Sequence, residues 1–292
     1  ANPGAVIGAV DFNGAWKNIH SRTASLHKNN HTHSDLRGVR VLVTRPAHQA
    51  ETLAREIEAA GGEAVRLPTI EIVASANTAA LHAVLDRLPE FGFAIFISPN
   101  AVRRFLPLLR ARGDVPSGLR LAAVGQGTLR TLNDEGFDQV LAPLERFDSE
   151  ALLELLPPAV VAGKEILIVR GEGGRKKLGE SLSARGARVA YAECYRRVPP
   201  RQPDAASLAR LRHGEIDILV ITSIEGAHNL CALVGESGRA QLLAKPVVVV
   251  SERLAQACRE LGFHAELCVS AQASDAAIVA VLGAWRARQN SL

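Results

Sequence analysis

Arg40-Val-Leu-Val-Thr-Arg45 and Glu165-Ile-Leu-Ile-Val-Arg170 are two versions of one stretch, 125 positions apart. Each is a short β-branched run that ends on Arg. Ile95-Phe-Ile-Ser98 returns as Val220-Ile-Thr-Ser223 at the same spacing. Gly136-Phe-Asp-Gln-Val-Leu141 returns as Gly262-Phe-His-Ala-Glu-Leu267, 126 positions on. Asp148-Ser-Glu-Ala-Leu-Leu153 has its counterpart in Ser274-Asp-Ala-Ala-Ile-Val279. A repeat on this scale is a structural assembly used twice.

Around these stretches, β-branched runs alternate with segments of helical period, the pattern of βα units on a mostly parallel sheet. Strands are expected at 39–44, 64–67, 93–97, 119–124, 165–169, 188–192, 217–222, 247–250 and 265–269. After the first, Pro46 suits a helix's first turn, and Ala50, Leu53, Ile57 and Ala60 recur at helical spacing before Gly61-Gly62. Leu178 and Leu182 mark one face of a helix over 175–185.

Labelled by likeness, the modules run C-A-B-C-A-B. Each domain needs one of each. The middle of the chain holds A-B-C without a break, so the first C must join the last A-B. The expectation is one domain from 37–72 plus 198–292 and an inserted one at 73–197. The chain then crosses twice, near 68–74 and near 194–200, where Arg196-Arg197 and Pro199-Pro200 read as a linker. A plain tandem split near residue 160 is the alternative. Residues 1–36 fit neither domain and read as a solvated or appended extension. Its His27, His31 and His33 have a spacing that also suits a metal clamp.

Composition narrows the classes. The chain has 292 residues, a net charge of +4, 47% hydrophobic and 22% charged residues. That excludes disorder as the dominant state and fits two globular domains. No run approaches the ~18 apolar residues of a membrane span, and no secretory leader stands out. Cys194, Cys231, Cys258 and Cys268 lack C-x-x-C spacing and read as buried thiols of a reducing compartment. The expectation is a cytoplasmic monomer without a metal. Two Tyr and two Trp give poor support for stacking on nucleic acid.

Ligands of open parallel sheets gather at the carboxyl ends of the strands. The turns there are Thr44-Arg45-Pro46, Ser98-Pro99-Asn100, Gly125-Gln126-Gly127-Thr128, Arg170-Gly171-Glu172-Gly173-Gly174-Arg175, Thr222-Ser223 and Ser251-Glu252-Arg253. Glycine permits close backbone approach, helix N-termini attract anions, and Arg offers a fork to carboxylates. Each turn alone is also explained as a helix cap. Taken together they suit an anion rich in hydrogen-bond acceptors. Gly125-x-Gly127 and Gly171-x-Gly173 lack the third glycine of a dinucleotide fingerprint, and no triphosphate loop, G-x-S-x-G or H-E-x-x-H occurs. Tyr195 stands beside the second crossing, either reaching toward a ligand or packing on a domain edge.

The chain resembles the uroporphyrinogen-III synthase family. The resemblance rests on Val43-Thr-Arg-Pro46, Ile97-Ser-Pro-Asn-Ala-Val102, Ala123-Val-Gly125 with Thr128, Arg170-Gly-Glu-Gly-Gly-Arg175 and Tyr195-Arg196. Ile221-Thr-Ser223, Ser251-Glu-Arg-Leu-Ala255 and Ala273-Ser-Asp275 complete it. It implies an α/β protein of two flavodoxin- or Rossmann-like parallel-sheet domains joined by a two-stranded linker, the first built from both chain ends. It also implies a cyclising lyase. Linear hydroxymethylbilane, a tetrapyrrole handed over by hydroxymethylbilane synthase, loses water and closes to uroporphyrinogen III with ring D inverted. No cofactor is needed.

On that resemblance Tyr195 is expected to assist departure of the hydroxyl. Arg45, Ser98, Asn100, Gly125, Thr128, Arg170, Gly171, Gly173, Gly174, Arg175, Thr222, Ser223, Ser251 and Arg253 are expected to hold substrate carboxylates. The alternatives are a non-enzymatic two-domain binder of a polyanion and a DNA-binding regulator. The second predicts a helix-turn-helix and a basic face, and neither is visible.

Overall fold

The computed structural model describes residues 7–10, 16–19, 35–174 and 176–290. His27, His31, His33 and Arg175 lie outside the described residues, and with them the metal-clamp reading. The described residues from 35 onward fall into two compact units, one of residues 72–197 and one combining 35–71 with 198–290.

Two segments of the expected extension are strands. Ile7–Val10 (β1) pairs antiparallel with Trp16–Ile19 (β2). Leu36 also departs from that expectation. It is fully buried, and its N–H donates to the Ala60 carbonyl at 2.8 Å. A single Leu between Asp35 and Arg37 carries no periodic signal, so only packing reveals it.

The unit made from two chain segments begins with Arg40–Val43 (β3), Ala47–Ala59 (α1) and Glu63–Arg66 (β4). Glu71–Ala74 (β5), which the sequence reading passed over as a crossing, leads into the other unit. There follow Thr78–Asp86 (α2), Phe91–Phe96 (β6), Pro99–Arg110 (α3), Arg120–Ala123 (β7), Gln126–Asp134 (α4) and Val140–Leu141 (β8). Ser149–Glu154 (α5), Pro158–Val161 (α6), Glu165–Gly171 (β9), Lys177–Ala184 (α7) and Arg188–Val198 (β10) complete it. The chain then adds Ala205–Arg212 (α8), Ile218–Ile221 (β11), Ile224–Leu243 (α9), Val247–Val249 (β12), Glu252–Glu260 (α10), Leu267–Val269 (β13) and Asp275–Gln289 (α11) to the first unit.

One sheet has the order β13-β12-β11-β3-β4 and the other β5-β10-β9-β6-β7-β8. The repeat explains the correspondence. β9, β10, β6, β7 and β8 repeat β3, β4, β11, β12 and β13. Numbered within each repeat, both five-strand cores run 2-1-3-4-5, and every pairing within them is parallel. The additional strand β5 edges the six-stranded sheet beside β10.

Helices cover both faces of each sheet because the central strands alternate between two apolar cores. In β9, Leu167 and Val169 join α2, α3 and α4, while Ile166 and Ile168 join α5, α6 and α7. In β11, Leu219 and Ile221 meet α8, α9 and α10, while Ile218 and Val220 meet α1 and α11. All eight side chains are at most 2% exposed, each contributing about 1.5–3 kcal/mol of burial.

β10 overturns one expectation. The sequence reading ended this strand at Ala192 and took 194–200 as linker, because Arg196-Arg197 breaks the apolar run. The strand continues to Val198. Glu193 pairs with Arg170 but Tyr195 with Gly171, so a bulge takes up Cys194. Cys194 and Tyr195, adjacent in sequence, consequently both join the core beneath α2, α3 and α4, which strict alternation forbids.

Candidate functional site

In a 2-1-3-4-5 sheet, the strand order reverses between strands 1 and 3, and a crevice opens at their carboxyl ends. That point lies between β3 and β11 in one unit and between β9 and β6 in the other. The strand-end turns singled out by sequence are thus collected along one edge of each sheet.

In the inserted unit, Ser98 ends β6 and caps α3. Its Oγ accepts the Ala101 N–H at 3.1 Å and lies 3.0 Å from the Tyr195 hydroxyl. Asn100 is buried in the first turn of the same helix. Tyr195 is only 2% exposed. Its ring lies over Gly171, where a Cβ would meet Cε2 and Cζ at 2.6 Å. Its carbonyl accepts the Glu172 N–H at 2.8 Å, and the Arg197 guanidinium stands 5.9 Å from the ring centre. Of the two roles open to Tyr195, its ring fills the packing one.

The loop after β9 is held from both sides. Arg170 is buried, bonds Glu193 Oε1 through Nε and Nη2 at 3.1 and 2.8 Å, and reaches the Gly174 carbonyl at 3.0 Å. Its guanidinium stacks 3.9 Å above the Tyr191 ring. Asn77, Ala80 and Leu81 join Arg170, Tyr191 and Glu193 around a cavity of about 220 Å³. Glu172 accepts from the Ser75 hydroxyl at 2.7 Å and the Ala76 N–H at 2.9 Å. These donors hold its carboxyl below the usual range. Gly173 has φ +70° and open space around it, which leaves its backbone accessible. Gly125 caps α4, and Thr128 is buried one turn on. A larger cavity, about 610 Å³, opens at the amino ends of β7 and β8 beside Arg120 and Asp138. It lies at the sheet edge opposite the strand-end turns, where parallel sheets seldom hold ligands.

In the other unit, Ser223 and Ser251 cap α9 and α10 through the Gly226 and Leu254 N–H groups. Thr222 is half-buried, and Arg253 is exposed without an ion pair among the described residues. Arg45 is not free in the same way. Its guanidinium is paired with Asp275 and reaches the Ala273 carbonyl at 3.3 Å, with only 12% of its side chain exposed. The neighbouring polar network escaped the sequence reading. Thr69, fully buried, donates to the Thr44 carbonyl at 3.1 Å, and Asn229 donates to the Thr69 carbonyl at 2.9 Å. No local pattern marks Thr69, because its partners are 25 and 160 positions away.

The family model of Uroporphyrinogen-III synthase HemD matches residues 51–280. A uroporphyrinogen-III synthase of Salmonella typhimurium is 38% identical over 77% of this chain and 92% of its own length. That of Escherichia coli is 34% identical over the same shares. Among solved structures, uroporphyrinogen-III synthetase of Helicobacter pylori has a TM-score of 0.54 at 16% identity, covering 85% of this chain and all of its own. A mutant uroporphyrinogen III synthase of Thermus thermophilus has a TM-score of 0.53 at 19% identity, covering 86% and 99%. The structural likeness speaks for the fold. The sequence likeness takes in all but the first of the strand-end turns, and by it the chain belongs to the uroporphyrinogen-III synthase family.

Proposed function

We propose that this chain closes linear hydroxymethylbilane to uroporphyrinogen III, with loss of water and inversion of ring D. The observation that carries the reading is the family match over 51–280, which takes in Tyr195 and the carboxyl-edge turns from Ser98 to Arg253. The two units serve as two domains facing one cleft, joined by a two-stranded linker of β5 and β10. The first domain is 37–72 with 198–292 and the second is 73–197. The enzyme works as a cytoplasmic monomer and receives its substrate from hydroxymethylbilane synthase.

The substrate is an octacarboxylate, and the edge offers it donors of several kinds. Arg253, the hydroxyls of Thr222 and Ser223, the open backbone at Gly173 and the Gly174 N–H take carboxylates, as does Arg175, the next residue in sequence. Arg170 and Arg45 shape their loops through internal pairs. The electron-rich pyrrole itself expels the hydroxyl once that oxygen is hydrogen-bonded. The Ser98–Tyr195 pair supplies that bond. The protein's larger task is to fold the bilane so that ring D is attacked at its substituted carbon.

The test is an isomer assay. Hydroxymethylbilane is generated in situ, the protein added, and the oxidised porphyrins separated. A shift from mostly I to mostly III is expected. Isomer I alone, with folded protein, overturns the reading.

A further inference from the structure

We infer that Ser98, rather than Tyr195, is the hydroxyl that meets the substrate, and that Tyr195 works through it. The inference rests on the function just proposed. It follows from asking which way the bond between the two hydroxyls runs.

Tyr195 is 2% exposed, and its hydroxyl has one hydrogen-bond partner among the described residues, Ser98 Oγ at 3.0 Å. If Ser98 donated, the phenolic proton would be left buried without an acceptor, a costly arrangement that folded proteins avoid. If Tyr195 donates, its proton is satisfied. Ser98 Oγ then accepts two bonds, from Tyr195 and from the Ala101 N–H. Both of its lone pairs are occupied, so its remaining polar element is its own proton. Ser98 is half-buried, whereas Tyr195 is sealed beneath Gly171. The proton of Ser98 is therefore the one of the pair that faces outward. Two incoming donors also polarise that hydroxyl and strengthen it as a donor.

The step balances without another reactant. The carbon–oxygen bond of the hydroxymethyl group breaks with its electrons on oxygen. That oxygen takes the Ser98 proton and leaves as water, while the hydrogen bond from Tyr195 stabilises the Ser98 oxygen until the proton released at ring closure restores Ser98. Ser98 is the catalytic residue and Tyr195 the positioning residue behind it.

The test compares Ser98→Ala, Ser98→Thr, Tyr195→Phe and the Ser98→Ala/Tyr195→Phe double variant in the isomer assay, with kcat and KM separated and thermal unfolding followed. Ser98→Ala is expected to lower kcat at least about tenfold, the low side of what a positioned acid supplies. Tyr195→Phe is expected to lose roughly 2- to 5-fold, the scale of one hydrogen bond and less than Ser98→Ala. The double variant should match Ser98→Ala within about twofold, because Tyr195 acts only through Ser98. Ser98→Thr keeps both the hydroxyl and the cap of α3, so it should lose clearly less than Ser98→Ala, which separates chemistry from lost capping. Three outcomes overturn the inference: Tyr195→Phe as severe as Ser98→Ala, a double variant whose losses multiply, or Ser98→Thr as impaired as Ser98→Ala. Wild-type protein that forms only isomer I overturns the proposed function as well, which sets that failure apart.

Discussion

Gly171 lies directly against the ring of Tyr195, its place in β9 opposite Tyr195 in β10 set by the bulge at Cys194. No other residue type fits there. A Cβ would approach Cζ to 2.6 Å, and the ring has no room to retreat because its hydroxyl is bonded to Ser98. Gly171→Ala is expected to cost about 1–3 kcal/mol of stability, the usual penalty of overpacking. It should also lower isomer-III formation by displacing the phenol. Urea denaturation and the isomer assay on the same preparation check both. A variant with wild-type values in each would show that the ring is not confined.

Arg45 and Asp275 are 230 positions apart and join the first and last helices of one unit. Asp275→Asn leaves a guanidinium that is only 12% exposed with the Ala273 carbonyl as its remaining hydrogen-bond partner among the described residues. A loss of about 1–3 kcal/mol is expected by chemical denaturation. The Arg45→Ala/Asp275→Ala double variant should lose less than the sum of its single changes. Strict additivity would mean that the pair contributes nothing.

Asp217 predicts an acid limb. Burial pushes its carboxyl up, and the Arg40 guanidinium and backbone N–H outweigh that, leaving it below the ordinary range. A depressed folded pKa gives stability that is complete above the unfolded value and is lost as pH falls through the folded one. Stability should therefore decline below about pH 4. Asp217→Asn should flatten part of that decline by roughly 0.5–1 kcal/mol, since the pair is partly exposed. Unfolding midpoints between pH 7 and pH 3 measure it, and identical slopes in the two proteins would refute it.

The thiols should be inert in the folded protein. Burial pushes Cys194 up to about 12 and Cys258 and Cys268 up to about 11, and raises Cys231 as well. The thiolate is the reactive form. Iodoacetamide at pH 8 should label none of the four in native protein and all four in urea. Native labelling on the timescale of a free thiol would contradict the burial.

Much of the fold was legible because its signals are local. The β-branched run at 40–43 and its copy at 165–169 are strands in both units, and Ala50, Leu53 and Ile57 fall on the buried face of α1. β5 was not legible, since Glu71-Ile-Val-Ala74 is too short to show a period and earns its place by lying beside β10. β8 has two residues and the same difficulty. At the candidate site, Ser98 and Ser223 were legible as helix caps because a strand followed by a capping residue is readable in sequence. The commitment of Arg45 to Asp275 was not, because an Arg after a strand looks the same whether its partner is a ligand or a distant carboxylate.

The sequence by itself determined the βα pattern, the doubled module order and the small, hydroxylic turns at the strand ends. The pattern and the turns depend on neighbours two to four positions away, within reach of strand and helix periodicity, and the module order follows from comparing such local stretches along the chain. Only the tertiary structure decided that β10 bulges, that Tyr195 is sealed beneath Gly171, and that its hydroxyl meets Ser98. These contacts join positions 24 to 97 residues apart. They exist only once the parallel strands have brought those positions side by side and excluded water from between them.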